Sequence, residues 1–589
     1  MSHIRIFCLL MASVFLGSSG VVFAHVACAN LDNSSLLLDL PCVVSRGTTW
    51  SVTLIPEFNS KGEVGTWHAD RNSIEQADFA PDNKACAVLN GSTNDLKLNC
   101  VLSHGKVWQA QLAAKYPGSE QLIWYLESYG PATPNGYAYS MLAPGKNGST
   151  IIYARILLDA PNQVCPVLNG SDGSTLTTLL RPMYPDSVTS SASFPVTVCE
   201  AVMVEGVSYS SFNNTLNINA ATLAASRVQV YGDSGCDPSD CPGVTPSTQF
   251  QSLANIGAKQ SPNLILHMGD YNYRGTSGAI TGQTYAYDAG DGDFGGKTCG
   301  LQETYYSQNA ANSPRPDSWP NWQADFFDTA QNLLPKAPWV FARGNHELCS
   351  RAGPGWFYFM GPGSSLPGAG QAQIQCPDQG DLNSPPATAI QHITMIPPYM
   401  LPLSTIDVWV MDTANACDDL ATNDLTAQYQ TQYEQLANTA KNTTWVMSHR
   451  PIWGFWDDGT PIVNQMLQTA LANSKEGELP STVQLSLAGH MHIFESLSVL
   501  QGSTRPPQVV IGNSGVSLES TPANGNFTQI IDGQLTAGNA MLEFGFLSMS
   551  VGGGAWSGEV LGTEGNILLN CDSGNIANGQ RVCLAAPGS

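Results

Sequence analysis

Hydrophobic and polar positions alternate with two different textures along the chain. Between residue 28 and about residue 225, short β-type apolar runs at 49–55, 122–126, 151–157 and 194–204 are separated by Gly, Pro, Asn and Ser turns. Helical periodicity is scarce there, which predicts one or two β-rich, sandwich-like domains. After Arg227, buried-strand runs at 228–231, 264–268, 339–342, 408–411, 444–448, 484–488 and 508–511 alternate with helix-like stretches at 248–259, 319–334, 425–441 and 461–472. That alternation predicts an α/β domain. Two loops, 275–300 and 353–386, are long and rich in Gly, Pro, Ser and Gln. Long loops in compact domains are usually functional, so these are expected to frame a site. The run CAVLNGS at 86–92 is echoed by CPVLNGS at 165–171, a recurrence that fits either a duplicated β unit or chance.

The first 24 residues read as a signal peptide: Arg5 lies in a short n-region, an apolar run covers 6–23, and Val22 and Ala24 supply small residues before a cut. A membrane anchor is the competing reading, but the run is short for a span. No later stretch is long and apolar enough to cross a bilayer. The expected organisation is a signal at 1–24, a β-rich N-terminal region at 25–225, a catalytic domain at 226–545 and a C-terminal extension at 546–589.

The formal net charge of -23 comes from a chain in which only 12% of residues are charged. A basic footprint for nucleic acid is absent, and an acidic surface would repel a phosphate substrate unless bound cations offset its field. Of 15 cysteines, Cys8 falls in the signal, which leaves an even number and fits an oxidising compartment. Cys236 with Cys241, Cys86 with Cys100, and Cys571 with Cys583 are the candidate local bridges. A thiolate zinc site competes, but the chain has no CxxC pair.

Five polar motifs each follow an apolar strand directly, the position where α/β sheets present ligand sites. They are Gly232-Asp233-Ser234-Gly235, Gly269-Asp270-Tyr271-Asn272-Tyr273, Gly344-Asn345-His346-Glu347, Val446-Met447-Ser448-His449 and Gly489-His490-Met491-His492. Singly they are weak: Gly-Asp recurs at Gly290, Gly292 and Gly380 without a preceding strand, and a lone His after a strand is commonly a core residue. Together, two Asp, a Tyr, an Asn and three His make a set of hard oxygen and imidazole donors for two cations.

The five blocks resemble those of the purple acid phosphatases, within the wider metallophosphoesterase superfamily, whose patterns read GDxG, GDxxY, GNH followed by D or E, VxxH and GHxH. The resemblance implies a catalytic domain of two packed mixed sheets flanked by helices, preceded here by a β-rich region. It implies Asp233, Asp270, Tyr273 and His492 on a ferric iron. Asn345, His449, His490 and a bridging Asp270 would hold a divalent partner, Zn2+, Mn2+ or Fe2+. Most metallophosphoesterases carry DxH at the first motif; this chain has Gly235 there, and Tyr273 is where the purple acid phosphatases supply the missing ligand. The stretch Phe194–Glu200 (FPVTVCE) is similar to secreted bacterial metallophosphoesterases.

By the same resemblance, hydroxide generated at the metals attacks phosphorus in line, and a protonated His346 delivers the proton to the leaving group. Asn272, Arg343 and Arg450 flank the motifs and are candidates to hold phosphate oxygens, with ion pairing the alternative for each Arg. The implied activity is hydrolysis of small phosphomonoesters by a secreted enzyme at acidic pH, with no nucleic-acid partner and no membrane insertion. Two readings compete: a phosphodiesterase or nucleotidase on the same metals, and a metal-loaded but non-catalytic surface binding protein.

Overall fold

The computed structural model describes residues 29–586 with interruptions, the longest at 275–316, 377–393, 183–193 and 77–86. The expected signal peptide, the 275–300 loop and Cys86 lie outside the described residues. Residues 29–131 build a nine-stranded sheet with its own apolar core, which includes Leu40, Leu54, Leu98, Leu112 and Trp124. The two CxVLNGS segments fall in different sheets: Ala87–Leu89 in that one, Val167–Gly170 in a separate four-stranded sheet.

Two large sheets carry the motifs. The first, of eleven strands, runs from Leu179–Leu180 through Thr197–Val202, Thr150–Leu158, Gly136–Pro144, Trp339–Phe341, Leu264–His267 and Arg227–Tyr231 to the antiparallel strands of 545–585. Its strand pairing therefore crosses both boundaries expected at 225 and 545. The second, of eight strands, places Tyr399–Pro402, Asp407–Val410, Thr444–Met447, Val483–Ala488 and Gln508–Ile511 side by side. In each sheet the central strands are parallel and, apart from Arg227 and Gln484 near their starts, buried, so they read as mainly apolar runs. Alternate side chains serve different layers. Trp445 and Met447 enter the core shared with the first sheet, while Val446 packs under the helices Asn423–Thr439 and Gln465–Asn473.

Two of the helices, Thr248–Gly257 and Gln465–Asn473, begin where a side chain caps them. Ser247 accepts from Phe250 N–H at 3.3 Å and Asn464 from Leu467 N–H at 2.8 Å. Two expectations need correction. The helix expected over 319–334 makes one α-turn, Trp319–Trp322, and then widens to π geometry over Gln323–Phe327. The Asp328 N–H reaches Gln323 O, and Thr329 Oγ1 donates to the carbonyls of Asp325 and Phe326, drawing the turn away from α spacing. The 353–386 loop likewise holds a short helix, Gly353–Phe359, whose buried aromatic face docks in the main core. Of the expected bridges, Cys236–Cys241 and Cys571–Cys583 are formed, and Cys165–Cys199 joins them.

Candidate metal centre

Every motif sits on a loop leaving the carboxyl end of a central parallel strand. Asp233, Asp270 and Asn345 come from the first sheet, and His449, His490 and His492 from the second. Asp233, Asp270 and His490 all adopt positive φ, 54°, 56° and 74°. Such backbone is strained for residues other than glycine and persists only where the surroundings enforce it. The loops approach so closely that a side chain at either of two glycines would force its neighbours to shift. A Cβ on Gly344 would lie 1.9 Å from Asp270 Oδ1, and one on Gly235 would lie 2.5 Å from the Tyr273 ring and 2.7 Å from Tyr271 O. The position where a DxH motif carries its histidine is thus filled by Tyr273 itself.

The Tyr273 hydroxyl lies 2.9 Å from Asp233 Oδ1, 3.1 Å from Asp270 Oδ2 and 3.1 Å from His492 Nε2. A phenol has one proton and can donate to one of these. Burial first, and the neighbouring Asp270 next, push the Asp233 carboxyl well above its usual range, while burial lowers His492 to about 4, so that it is a neutral imidazole. Burial and the Asp233 charge hold the Tyr273 phenol well above its ordinary pKa.

A second convergence lies beside the first. His449 Nδ1 is 2.8 Å from Met268 O, a carbonyl that can only accept, so the ring proton is on Nδ1. In the neutral imidazole Nε2 then points a lone pair at Asn345 Oδ1, 2.8 Å away, and at Asp270 Oδ2, 3.3 Å away. One oxygen and one nitrogen of Asp270 and His449 also group with a ring nitrogen of His490 within 4.8 Å. Acceptor atoms facing one another in a buried site are repulsive unless a cation lies among them. The donor set therefore fits two cations sharing Asp270, with Asp233, Tyr273 and His492 on one side and Asn345, His449 and His490 on the other.

His346 is held over this group. Its backbone N–H donates to Asp270 Oδ1 at 2.9 Å, its ring lies 3.9 Å from that of Tyr273 at a tilt of 38°, and Nε2 is 4.0 Å from Asp270 Oδ2. The three flanking candidates are placed otherwise. Arg343 is buried, with Nε on both oxygens of Asp412 and Nη2 on Thr394 O. Arg450 is buried against Asp418, and Asn272 is buried with Oδ1 accepting from Arg274 N–H at 3.2 Å. The structure does not bring Arg343 into the group of donors.

Three carboxylates to which the sequence reading gave no role, one of them inside the third motif, shape the site. Glu347 is fully buried and accepts the N–H groups of Gly344, Asp270, Tyr271 and Asn272 at 2.8–3.2 Å, tying the second and third motifs into one unit. Burial, then the Asp270 charge, raises it to about 8. Asp325, on the π-turn, accepts Tyr273 N–H at 3.0 Å and pairs with Arg274, and burial raises it to about 7 despite that guanidinium. Asp418 contacts His490; burial would raise its carboxyl, but Arg450 and His490 hold it well below the usual range. The signal for Glu347 was present in the third motif, whereas Asp325 and Asp418 have none.

Residues 230–494 match the family model of the calcineurin-like phosphoesterases. That stretch, 265 of the chain's 589 residues, spans all five motifs and is similar to metal-dependent phosphoric ester hydrolases. Among solved structures the chain is similar to the purple acid phosphatase PPD1 from yellow lupin (Lupinus luteus) seeds, with 14% identity over 79% of each chain and a TM-score of 0.45. It is also similar to GAP50, the anchor in the inner membrane complex of Plasmodium, with 11% identity over 59% of this chain and 87% of that one, TM-score 0.33. No curated protein matches it in sequence. Among the described residues, no helix is long and apolar enough to cross a membrane.

Proposed function

We propose that this chain is a secreted phosphatase with a two-cation centre that hydrolyses small phosphomonoesters at acidic pH. The observation that carries the reading is the pair of acceptor convergences sharing Asp270 Oδ2, at Tyr273 and at His449. Asp233, Asp270, Tyr273 and His492 hold ferric iron; Asn345, His449, His490 and Asp270 hold a divalent ion, Zn2+, Mn2+ or Fe2+. Two such ions, when bound, draw charge from phosphoryl oxygens and make water nucleophilic near neutrality or below.

The chain's own residues supply the rest. Asp270 faces both His449 and His346, which hold its carboxyl well below the usual range although burial would raise it. The His346 ring, fixed against Tyr273, presents its proton to the departing alkoxide. A protein serving only to bind has no use for a leaving-group acid, which favours the enzyme reading. Disulfides support export to an oxidising compartment. The test is turnover of p-nitrophenyl phosphate against bis-p-nitrophenyl phosphate, with metal analysis of the same sample. Preference for the monoester with two ions per chain is expected; preference for the diester assigns a phosphodiesterase, and no turnover with metal bound assigns a binding protein.

A further inference from the structure

We infer that Asp418 positions His490 for its cation, and that Arg450 is the base on which Asp418 rests. This rests on the two-cation reading above. Asp418 lies beyond the Asp407–Val410 strand, near the start of the Asn423–Thr439 helix, and belongs to none of the five motifs.

Three atoms meet there. Asp418 Oδ2 is 2.9 Å from His490 Nε2, Arg450 Nη1 donates to that same oxygen, and Nη1 is 2.8 Å from Nε2. A carboxylate can only accept. If Nε2 took a proton from Arg450, its lone pair would be spent there, but no hydrogen would remain to join Nε2 to the Asp418 anion 2.9 Å away. With the hydrogen on Nε2, the imidazole and the guanidinium both donate to Oδ2, and the lone pair of His490 is on Nδ1, free for a cation. Histidine ligands are commonly oriented in this way, by a carboxylate on the nitrogen that faces away from the metal.

The remaining contacts show that Asp418 is itself held. Asn464 Nδ2 donates to Oδ1 at 2.7 Å and the Gln465 N–H to its carbonyl at 2.7 Å, so the start of the Gln465–Asn473 helix fixes the carboxylate. Arg450 is fully buried, and among the described residues its Nε and Nη2 have no hydrogen-bond partner, so its charge faces the Asp418 side. Its backbone N–H and that of His449 share Thr413 Oγ1, at 2.8 and 3.1 Å. Arg450, identified in sequence as a flanking cation, thus stands beneath His490.

Protein stripped of metal and titrated calorimetrically with Zn2+ tests the inference. The wild type should take up two ions. Asp418→Asn should weaken one of the two steps by about 10- to 100-fold, the usual cost of losing such a partner, and leave the other unchanged. A structural role alone would lower the melting temperature of the stripped protein without separating the two steps. Histidine-labelled, Zn2+-loaded wild type gives a second readout that survives any failure of the variant to fold: nitrogen NMR should show His490 protonated at Nε2 and metallated at Nδ1. Metallation at Nε2, or equal affinities in wild type and variant, overturns the role of Asp418. A wild type that binds no second ion overturns the two-cation reading itself.

Discussion

The two halves of the site are built on different chemistry. On the Tyr273 side the donors are mainly oxygens, two carboxylates and a phenol packed against Gly235, with a backbone that no added side chain could enter. On the His449 side they are two imidazoles and an amide, and each imidazole is turned by a second group: His449 by Met268 O and His490 by Asp418. The first half is fixed by packing and the second by hydrogen bonds. Under the proposed function, hard anionic oxygens select a trivalent ion and neutral nitrogens a divalent one.

Asp270 belongs to both halves, so its removal should erase the difference. Asp270→Ala is expected to lose both ions and all turnover, because neither ion keeps its geometry and nothing screens their mutual repulsion. Metal analysis checks this, and two ions retained per chain would show that Asp270 does not bridge.

His346 lies outside both halves, and His346→Ala should leave both ions in place while lowering kcat by roughly 10²- to 10⁴-fold for alkyl phosphates. Activated aryl phosphates should suffer less; equal losses on the two substrates would remove His346 as the acid. Tyr273→Phe sharpens the contrast between halves. A phenolate on ferric iron gives a visible charge-transfer band, so the variant should bleach and bind iron more weakly while divalent uptake persists. Unchanged iron content and colour would leave Tyr273 as packing.

The smallest effect expected is at Gly235. Gly235→Ala puts a methyl group against the Tyr273 ring and the Tyr271 carbonyl, which cannot both withdraw. Overpacking of this kind costs about 1–3 kcal/mol, read as a lower melting temperature. The visible band should shift as the phenol moves, with divalent affinity unaltered. A variant as stable as the wild type, with the same spectrum, would mean that packing does not fix this half.

Much of this was legible before any coordinates. Strand positions after Arg227, the α/β class and the bringing together of the motif residues follow from local rules, because a parallel strand buried on both faces leaves an apolar run and the next few residues must lie at the sheet's edge. The expected 319–334 helix went astray because Thr329 competes for backbone carbonyls, an effect that periodicity does not register.

The sequence by itself determined which donors reach the site, since each is tied to the end of its own strand by a few residues. The resemblance of its motifs added the expectation that, with Gly235 in the first motif, Tyr273 takes the place of the absent histidine. Only the tertiary structure decided what turns and holds those donors. Asp418 meets His490 across 72 residues and Glu347 meets Asp270 across 77, and a single carboxylate has no period or spacing that announces such a partner. The same holds for Arg343 and Arg450: position beside a motif fixes where a side chain begins, but the charge it finally meets, Asp412 or Asp418, is chosen by how two sheets pack.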